Sequence, residues 1–221
     1  MRTDIRLAYA TPAIAAKQRA VVDPQLRDMR AGRPILLFQA VGDILTKIVP
    51  TLPAPITLLD AGCGSAYYSE VIEHFTPHCY TYHGVDYNPG MVALAHELYP
   101  SLTIHQADLC SLDFDDRSFD VVLSGACIGH IPEWETALSE LARVVGSYLI
   151  LHRNPIWLDD TPTTFDYRND YDAGIWVHQF NEHELLSEVL DDFDMITARD
   201  VCRPTPRMVT RTYLLGRKGI F

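Results

Sequence analysis

The sequence predicts an α/β fold, a parallel sheet covered by helices on both faces. Three observations carry that expectation. Apolar runs of strand length recur with helical stretches between them. One of those runs, LLDAGCG, ends on closely spaced glycines before a helix. The chain is 221 residues long, 48% apolar and 21% charged, enough material for one sizeable core.

Each element follows from its local signals. A first helix is expected over 34–49, with Pro34 at its first position and Pro50 stopping it. Residues 56–61 form a short buried strand, and 67–75 the helix after the glycine turn. A second strand spans 80–86; Asn88 then caps a helix that Pro89 opens and Pro100 closes. Strand three covers 102–105, and strand four, FDVVLSGA from Phe119, is apolar enough for the middle of a sheet. Pro132 opens a helix through Leu138, Leu141 and Val145, and strand five is 148–152. Asn181 with Glu184 makes a capping box, with Phe180 and Leu185 as its hydrophobic staple, for a helix to about Leu190. Residues 193–199 and 208–215 are two strands joined by the turn CRPTPR.

Composition narrows the function. The net charge of −11 is unfavourable for neutralising a phosphate backbone, so neither DNA nor RNA is the expected partner. Residues 1–33 carry seven basic and three acidic groups, and residues 199–221 carry six and one; these basic ends are expected to fold back on an acidic body. No apolar run is long enough to span a membrane, and the first residues lack the pattern of a secretory leader; no membrane partner and a cytoplasmic location are expected. Five cysteines without a CxxC pair fit neither a disulfide framework nor a zinc site, and they are expected as reduced thiols in the core, with no metal. Oligomeric state is not legible here.

The chemistry concentrates at strand ends. Gly62 and Gly64 follow strand one, where glycine permits a sharp turn and a close approach by a ligand. Alone such a turn serves NAD, a flavin, another nucleotide or nothing. Asp60 ends strand one, Asp86 ends strand two, and Asp108 follows strand three. In an open parallel sheet those ends share one rim, so three carboxylates line one crevice. A pyrophosphate would be repelled there, whereas a cationic ligand with a ribose and an amine would be held. The third glycine of the dinucleotide fingerprint is missing, with Tyr67 in its place.

The set LLDAGCGSA, GVDYNPGMVALA, QADL and FDVVLSGACIGHI, in this order and spacing, resembles the class I S-adenosylmethionine-dependent methyltransferases over residues 34–152. The resemblance implies a doubly wound, mostly parallel seven-stranded sheet whose last strand is antiparallel, S-adenosylmethionine as cofactor and a small-molecule acceptor. It implies that Asp60, Ala61, Gly62, Cys63 and Gly64 surround the methionine part of the cofactor. Asp86 would hold the ribose, Tyr87 and Met91 would flank the adenine, and Ala107, Asp108 and Leu109 would read its amine edge. Ser124 and Gly125 would present backbone to the methionine end. Two departures stand out: Ala66 replaces a usual third glycine, and the glycine-rich turn before strand five is reduced to VVGS. The alternatives are a nicotinamide-dependent oxidoreductase, or a protein that binds S-adenosylmethionine without catalysis or modifies another protein.

Methyl transfer is mainly positioning, with a base needed only when the acceptor must lose a proton. His130, just past strand four in ACIGHIP, is the candidate base; capping or substrate positioning is the other reading. The segment 153–180 reads as a long acceptor-side loop, since loops beyond about 12 to 15 residues usually bind or cover something. His152, Arg153, Tyr167, Tyr171 and His178, with Trp157 and Trp176, are its candidate lining. Arg203 and Arg207 in the CRPTPR turn could reach an acidic acceptor or pair with acids in the loop. Domain organisation follows as one methyltransferase unit: a lid over 1–33, a cofactor core over 34–152, the loop, and a final helix and strand pair over 181–221.

Overall fold

The computed structural model describes residues 12–170 and 173–220. Helices α1 (Pro12–Arg30) and α2 (Leu36–Ile48) precede β1 (Ile56–Ala61), α3 (Tyr68–Phe75), β2 (Tyr80–Asp86), α4 (Pro89–Leu98), β3 (Thr103–Gln106) and β4 (Phe119–Gly125). Then come α5 (Trp134–Val144), β5 (Val145–Trp157), the hairpin β6 (Thr164–Asp170) and β7 (Ala173–Gln179), α6 (Glu182–Ser187), β8 (Phe193–Thr205) and β9 (Met208–Arg217).

Alternation along the central strands explains the layers. In β1, Leu58 packs on one face of the sheet and Leu59 on the other; Val121 and Val122 in β4, and Ile150 and Leu149 in β5, divide the same way. A strand covered on both faces needs apolar residues at every position, which is why these segments read as unbroken apolar runs. One face is closed by Leu26 of α1, Leu45 of α2, Val71 of α3 and Ala95 of α4. The other is closed by Leu138 and Leu141 of α5 and by Leu185 and Leu186 of α6. The seven strands run β3-β2-β1-β4-β5-β9-β8. β1 to β5 are parallel neighbours, and β9 lies antiparallel between β5 and β8. This is the doubly wound, mostly parallel seven-stranded sheet with a reversed last strand.

Several local expectations shift. Ile35 is the extended N-cap of α2, so Pro34 lies just before the helix. A 3-10 turn at Ile128–His130 follows β4, and α5 starts only at Trp134, two residues after Pro132. Asn88 caps α4 by accepting from the Gly90 and Met91 amides, at 2.7 and 3.2 Å. Asn181 accepts from the His183 and Glu184 amides, but the reciprocal half of the expected box is absent: Glu184 Oε2 accepts instead from the Thr163 amide at 3.1 Å, and α6 ends at Ser187. Strand five is much longer than 148–152, because β9 pairs with it as far as Trp157.

The expected loop over 153–180 is also corrected. It is mostly strand: the end of β5, then an antiparallel hairpin forming its own two-stranded sheet. Its cross-strand pairs set Phe165 opposite His178 and Tyr167 opposite Trp176, aromatic partners of the kind that stabilise an antiparallel ladder.

The basic ends do meet the acidic body. Arg19 and Arg30 reach Glu70, Arg199 reaches Asp43 at 2.6 Å, and Arg211 reaches Glu182 at 2.7 Å. All five cysteines are free, but only Cys63 is a buried residue; Cys79, Cys110 and Cys127 are half-buried and Cys202 is exposed, so they are not a set of core thiols. Among the described residues no helix is long and apolar enough to cross a membrane.

Candidate active site at the strand rim

Sheet order reverses between β1 and β4, which opens a crevice at the carboxyl ends of the strands. The glycine turn after β1 is pinned to β2: the Gly62 and Cys63 amides both donate to the Val85 carbonyl, at 2.8 and 2.9 Å. Gly62 (φ +78°) and Gly64 (φ +56°) are both left-handed. A Cβ on Gly62 would lie 2.2 Å from Cys127 Sγ, so that position is restricted by space as well as by torsion. Ala66 has a left-handed backbone too (φ +58°), the conformation that favours glycine.

Asp86 sits in the middle of this rim. One oxygen accepts from the Gly64 amide and the other from the Asn88 amide, each at 2.8 Å, so the carboxylate ties the β1 turn to the start of α4. Burial raises its pKa, and the two amides oppose that rise. Asp60 lies behind the turn, fully buried; Tyr82 donates to its Oδ2 at 2.7 Å and its Oδ1 has no hydrogen-bond partner. Burial is the main reason that its pKa rises to about 7; Tyr82 opposes the rise and Asp86 adds to it. Asp108 closes a small turn by accepting from the Cys110 amide at 3.0 Å.

These ends border a cavity of about 170 Å³. Asp86, Tyr87, Met91, Asp108 and Leu109 form one end, and Gly125, Ala126, Cys127, His130 and Arg153 the other. Gln18, Val21, Val22 and Gln25 of α1 cover it, and Tyr67 and Leu37 complete the wall. Gln18 Oε1 accepts from both the amide and the hydroxyl of Ser65, at 3.3 Å each, which fastens α1 to the glycine turn. His130 Nδ1 lies 3.1 Å from the Trp176 carbonyl of β7. A carbonyl only accepts, so Nδ1 carries the proton and Nε2 is the basic nitrogen of the neutral ring.

A methyltransferase domain family model matches residues 59–150, the span that builds this rim. A probable S-adenosylmethionine-dependent methyltransferase of Mycobacterium tuberculosis is 30% identical over 135 residues, 61% of this chain and 47% of that protein. The magnesium protoporphyrin IX methyltransferase of Synechocystis, solved with bound S-adenosylmethionine, superposes with a TM-score of 0.65 at 18% identity, covering 98% of this chain and 97% of that one. Residues 59–150 are thus similar to a methyltransferase domain, and the chain has the fold of these S-adenosylmethionine-dependent methyltransferases. S-adenosylmethionine is the cofactor named for that Mycobacterium tuberculosis relative and the one bound in the Synechocystis structure. A 1,6-didemethyltoxoflavin-N1-methyltransferase of Burkholderia thailandensis, solved with S-adenosylhomocysteine, is another structural neighbour, with a TM-score of 0.59, 19% identity and coverage of 92% and 88%. The chain spans about half the length of the first curated relatives that it matches.

Of the residues singled out by the motifs, Gly62, Asp86, Tyr87, Met91, Asp108, Leu109 and Gly125 line the cavity, and so do His130 and Arg153. Asp60, Ala61, Cys63, Gly64, Ala107 and Ser124 stand behind that lining. Asp60, Ala61 and Ser124 are core-buried at the strand ends, Cys63 packs toward Gly84, and Gly64 is covered by Gln18.

Most of the acceptor-side candidates are corrected. His152 is fully buried, with Nδ1 2.8 Å from Thr212 Oγ1 and its ring edge-on to Tyr68, because it points into the core from within β5. His178 is stacked between Phe165 and Phe180, with Nδ1 3.3 Å from the Gly129 carbonyl, and burial lowers its pKa to about 4. Tyr167 is 62% exposed and packs on Trp176. Arg207 pairs with Asp159 at 2.7 Å and lies over the Trp157 ring, while Arg203 donates to the Pro206 carbonyl at 3.1 Å, so both stay at the β8–β9 hairpin end. Tyr171 lies outside the described residues.

The motifs did not single out Gln18, Gln25, Ala126, Ile131 or Pro132. Gln18 and Gln25 carry a faint signal, since both lie on the helix expected to cover the mouth.

Proposed function

We propose that this protein transfers the methyl group of S-adenosylmethionine to a small-molecule acceptor, with His130 as the base when the acceptor bears an O–H or N–H. The observation that carries the reading is Asp86, buried and clamped by the Gly64 and Asn88 amides at the end of β2, one strand from the point where the sheet order reverses. There it faces the cavity with Asp108 beside it, on the two strand ends where a ribose diol and an adenine amine would be read. The residues suit the cofactor in a second way. Asp60 leaves one buried oxygen without a partner behind the glycine turn, a place for an ammonium group reached through the turn or through water. Bound there, the cofactor supplies a sulfonium-activated methyl group.

The chain's own residues do the rest. Gly62 allows close approach, and Gly125 and Ala126 offer backbone at the β4 end. Tyr87 and Met91 line the end of the cavity where they would flank the adenine. Transfer would need the acceptor in line, about 3 to 3.5 Å from the methyl carbon. His130 Nε2 receives the departing proton, and the Trp176 carbonyl fixes the ring for it through Nδ1–H, the arrangement of a base oriented by a third group.

Helix α1 acts as a lid. Its side chains cover a cavity smaller than the roughly 300 Å³ at the low end of ligand sites, so it swings out to admit the cofactor and closes to exclude water. Two neighbours named for small-molecule acceptors, magnesium protoporphyrin IX and 1,6-didemethyltoxoflavin, support a small acceptor here.

Calorimetry with S-adenosylhomocysteine and NADH tests the reading. Binding of the first, weakened at least about 100-fold in Asp86→Ala, is expected; binding of NADH alone rejects it. His130→Ala is expected to lower kcat by about 10² to 10⁴ for a protic acceptor and to remove the acid limb of its pH profile, with cofactor affinity kept. Unchanged turnover would leave methyl transfer standing and remove the base.

A further inference from the structure

Resting on the methyl-transfer reading, we infer that Arg153 anchors a carboxylate on the acceptor, so that the substrates are small acids with an apolar body. Arg153 is the only arginine or lysine among the described residues that line the cavity. It arrives there through a break in the sheet. The β5–β9 register shifts between Leu151 and Asn154, and Arg153 occupies the bulge with a left-handed backbone (φ +64°). Regular alternation would not serve: Leu151 and His152 on either side of the strand are both buried. The extra residue frees one side chain from that alternation and turns it toward the crevice.

The bulge is fixed rather than loose. Thr212 Oγ1 accepts from the Arg153 amide at 3.4 Å and lies 2.8 Å from His152 Nδ1. Next to it the Ala126 amide donates to the His152 carbonyl at 2.8 Å, and Ala126 is itself left-handed (φ +61°). The end of β4 and the neighbouring bulge of β5 therefore hold residues with a Cβ in a conformation they disfavour, both facing one cavity. Such strain persists where surrounding structure enforces it, and it clusters at ligand sites.

Sheet order separates this group from the ribose and adenine end of the cofactor site. Asp108, Asp86 and the glycine turn follow β3, β2 and β1, and Arg153 lies on β5, three strand spacings or roughly 14 Å along the rim from Asp86. An acceptor carboxylate on Arg153 would also be shielded from Asp86 and Asp108 at the far end of the cavity. The guanidinium offers a planar fork matched to a carboxylate. Val21, Val22, Leu37 and Ile131 supply apolar wall for the rest of the molecule.

Benzoate and its neutral isostere benzamide, titrated by calorimetry into protein saturated with S-adenosylhomocysteine, test the assignment. Benzoate is expected to bind roughly 10- to 100-fold better than benzamide; Arg153→Met should erase that preference and Arg153→Lys retain part of it, with S-adenosylhomocysteine affinity within about twofold of wild type in both. Wild-type protein that binds the cofactor product but treats benzoate and benzamide alike, whether taking both or neither, overturns the proposal. Loss of S-adenosylhomocysteine affinity in Arg153→Met equal to the loss for benzoate also overturns it, by assigning Arg153 to the cofactor's own carboxylate. Failure of wild-type protein to bind S-adenosylhomocysteine at all would instead defeat the methyl-transfer reading beneath it.

Discussion

The rim at the ends of β1, β2 and β3 and the β6–β7 hairpin hold their polar side chains in opposite ways. At the rim, carboxylates are gripped by backbone amides of neighbouring segments: Asp86 by Gly64 and Asn88, Asp108 by Cys110. In the hairpin, rings hold one another. His178 stacks on Phe165 with centroids 4.0 Å apart and on Phe180 at 5.6 Å, and Tyr167 packs on Trp176 at 5.7 Å. An amide grip leaves a carboxylate fixed at a crevice that the topology has already opened, whereas a ring stack consumes the faces that would have met a ligand. The hairpin touches the site through its backbone, by way of the Trp176 carbonyl on His130.

That contrast ranks substitutions. The largest effect is expected at the glycine turn: Gly62→Ala places a Cβ 2.2 Å from Cys127 Sγ at φ +78°, so S-adenosylhomocysteine binding by calorimetry should fall below detection and stability drop by about 1 to 3 kcal/mol in urea titration. Retained affinity would mean that the turn is not the cradle.

A middle effect depends on pH. Burial raises the Asp60 pKa to about 7 in the folded chain from an ordinary carboxylate value of 3.8, so between those values the folded chain holds a proton that the unfolded chain has released. Wild-type stability should therefore fall as pH rises through that window and level off above it. Asp60→Asn cannot release that proton, so urea midpoints at pH 5 and pH 8 should converge in the variant; an unchanged wild-type slope would place the titration elsewhere.

The smallest effect is expected at the hairpins. Tyr167→Ala and Arg207→Ala should leave S-adenosylhomocysteine affinity within about twofold and the urea midpoint close to that of wild type, because one side chain is 62% exposed and the other joins a surface ion pair. A large loss of turnover in either would bring these hairpins back into the acceptor site.

Legibility in the sequence followed the same division. The strand-end acids could be placed because an apolar run ending in Asp86 or just before Asp108 identifies both the strand and its rim, and parallel strands share one rim. His130 was found by the same rule, past the end of β4, whereas Arg153 lies inside β5 and reaches the cavity through the bulge there. His152 failed it by one residue: β5 continues to Trp157 through its pairing with β9, so a histidine read as the end of a strand lies inside one and faces the core. His178, Tyr167 and Trp176 failed for another reason, since pairing across the hairpin joins residues that no local period connects.

Local patterning alone determined the alternating strands and helices, the Asn88 and Asn181 caps, the glycine turn and the order of acids along the rim, because each depends on contacts within a few residues or on the shared polarity of parallel strands. Tertiary structure decided what fills the space above them. The Gln18 tie to Ser65, the Trp176 carbonyl that sets the His130 tautomer, and the bulge that turns Arg153 into the cavity all join segments far apart in the chain, and such pairings are fixed only when the sheet closes.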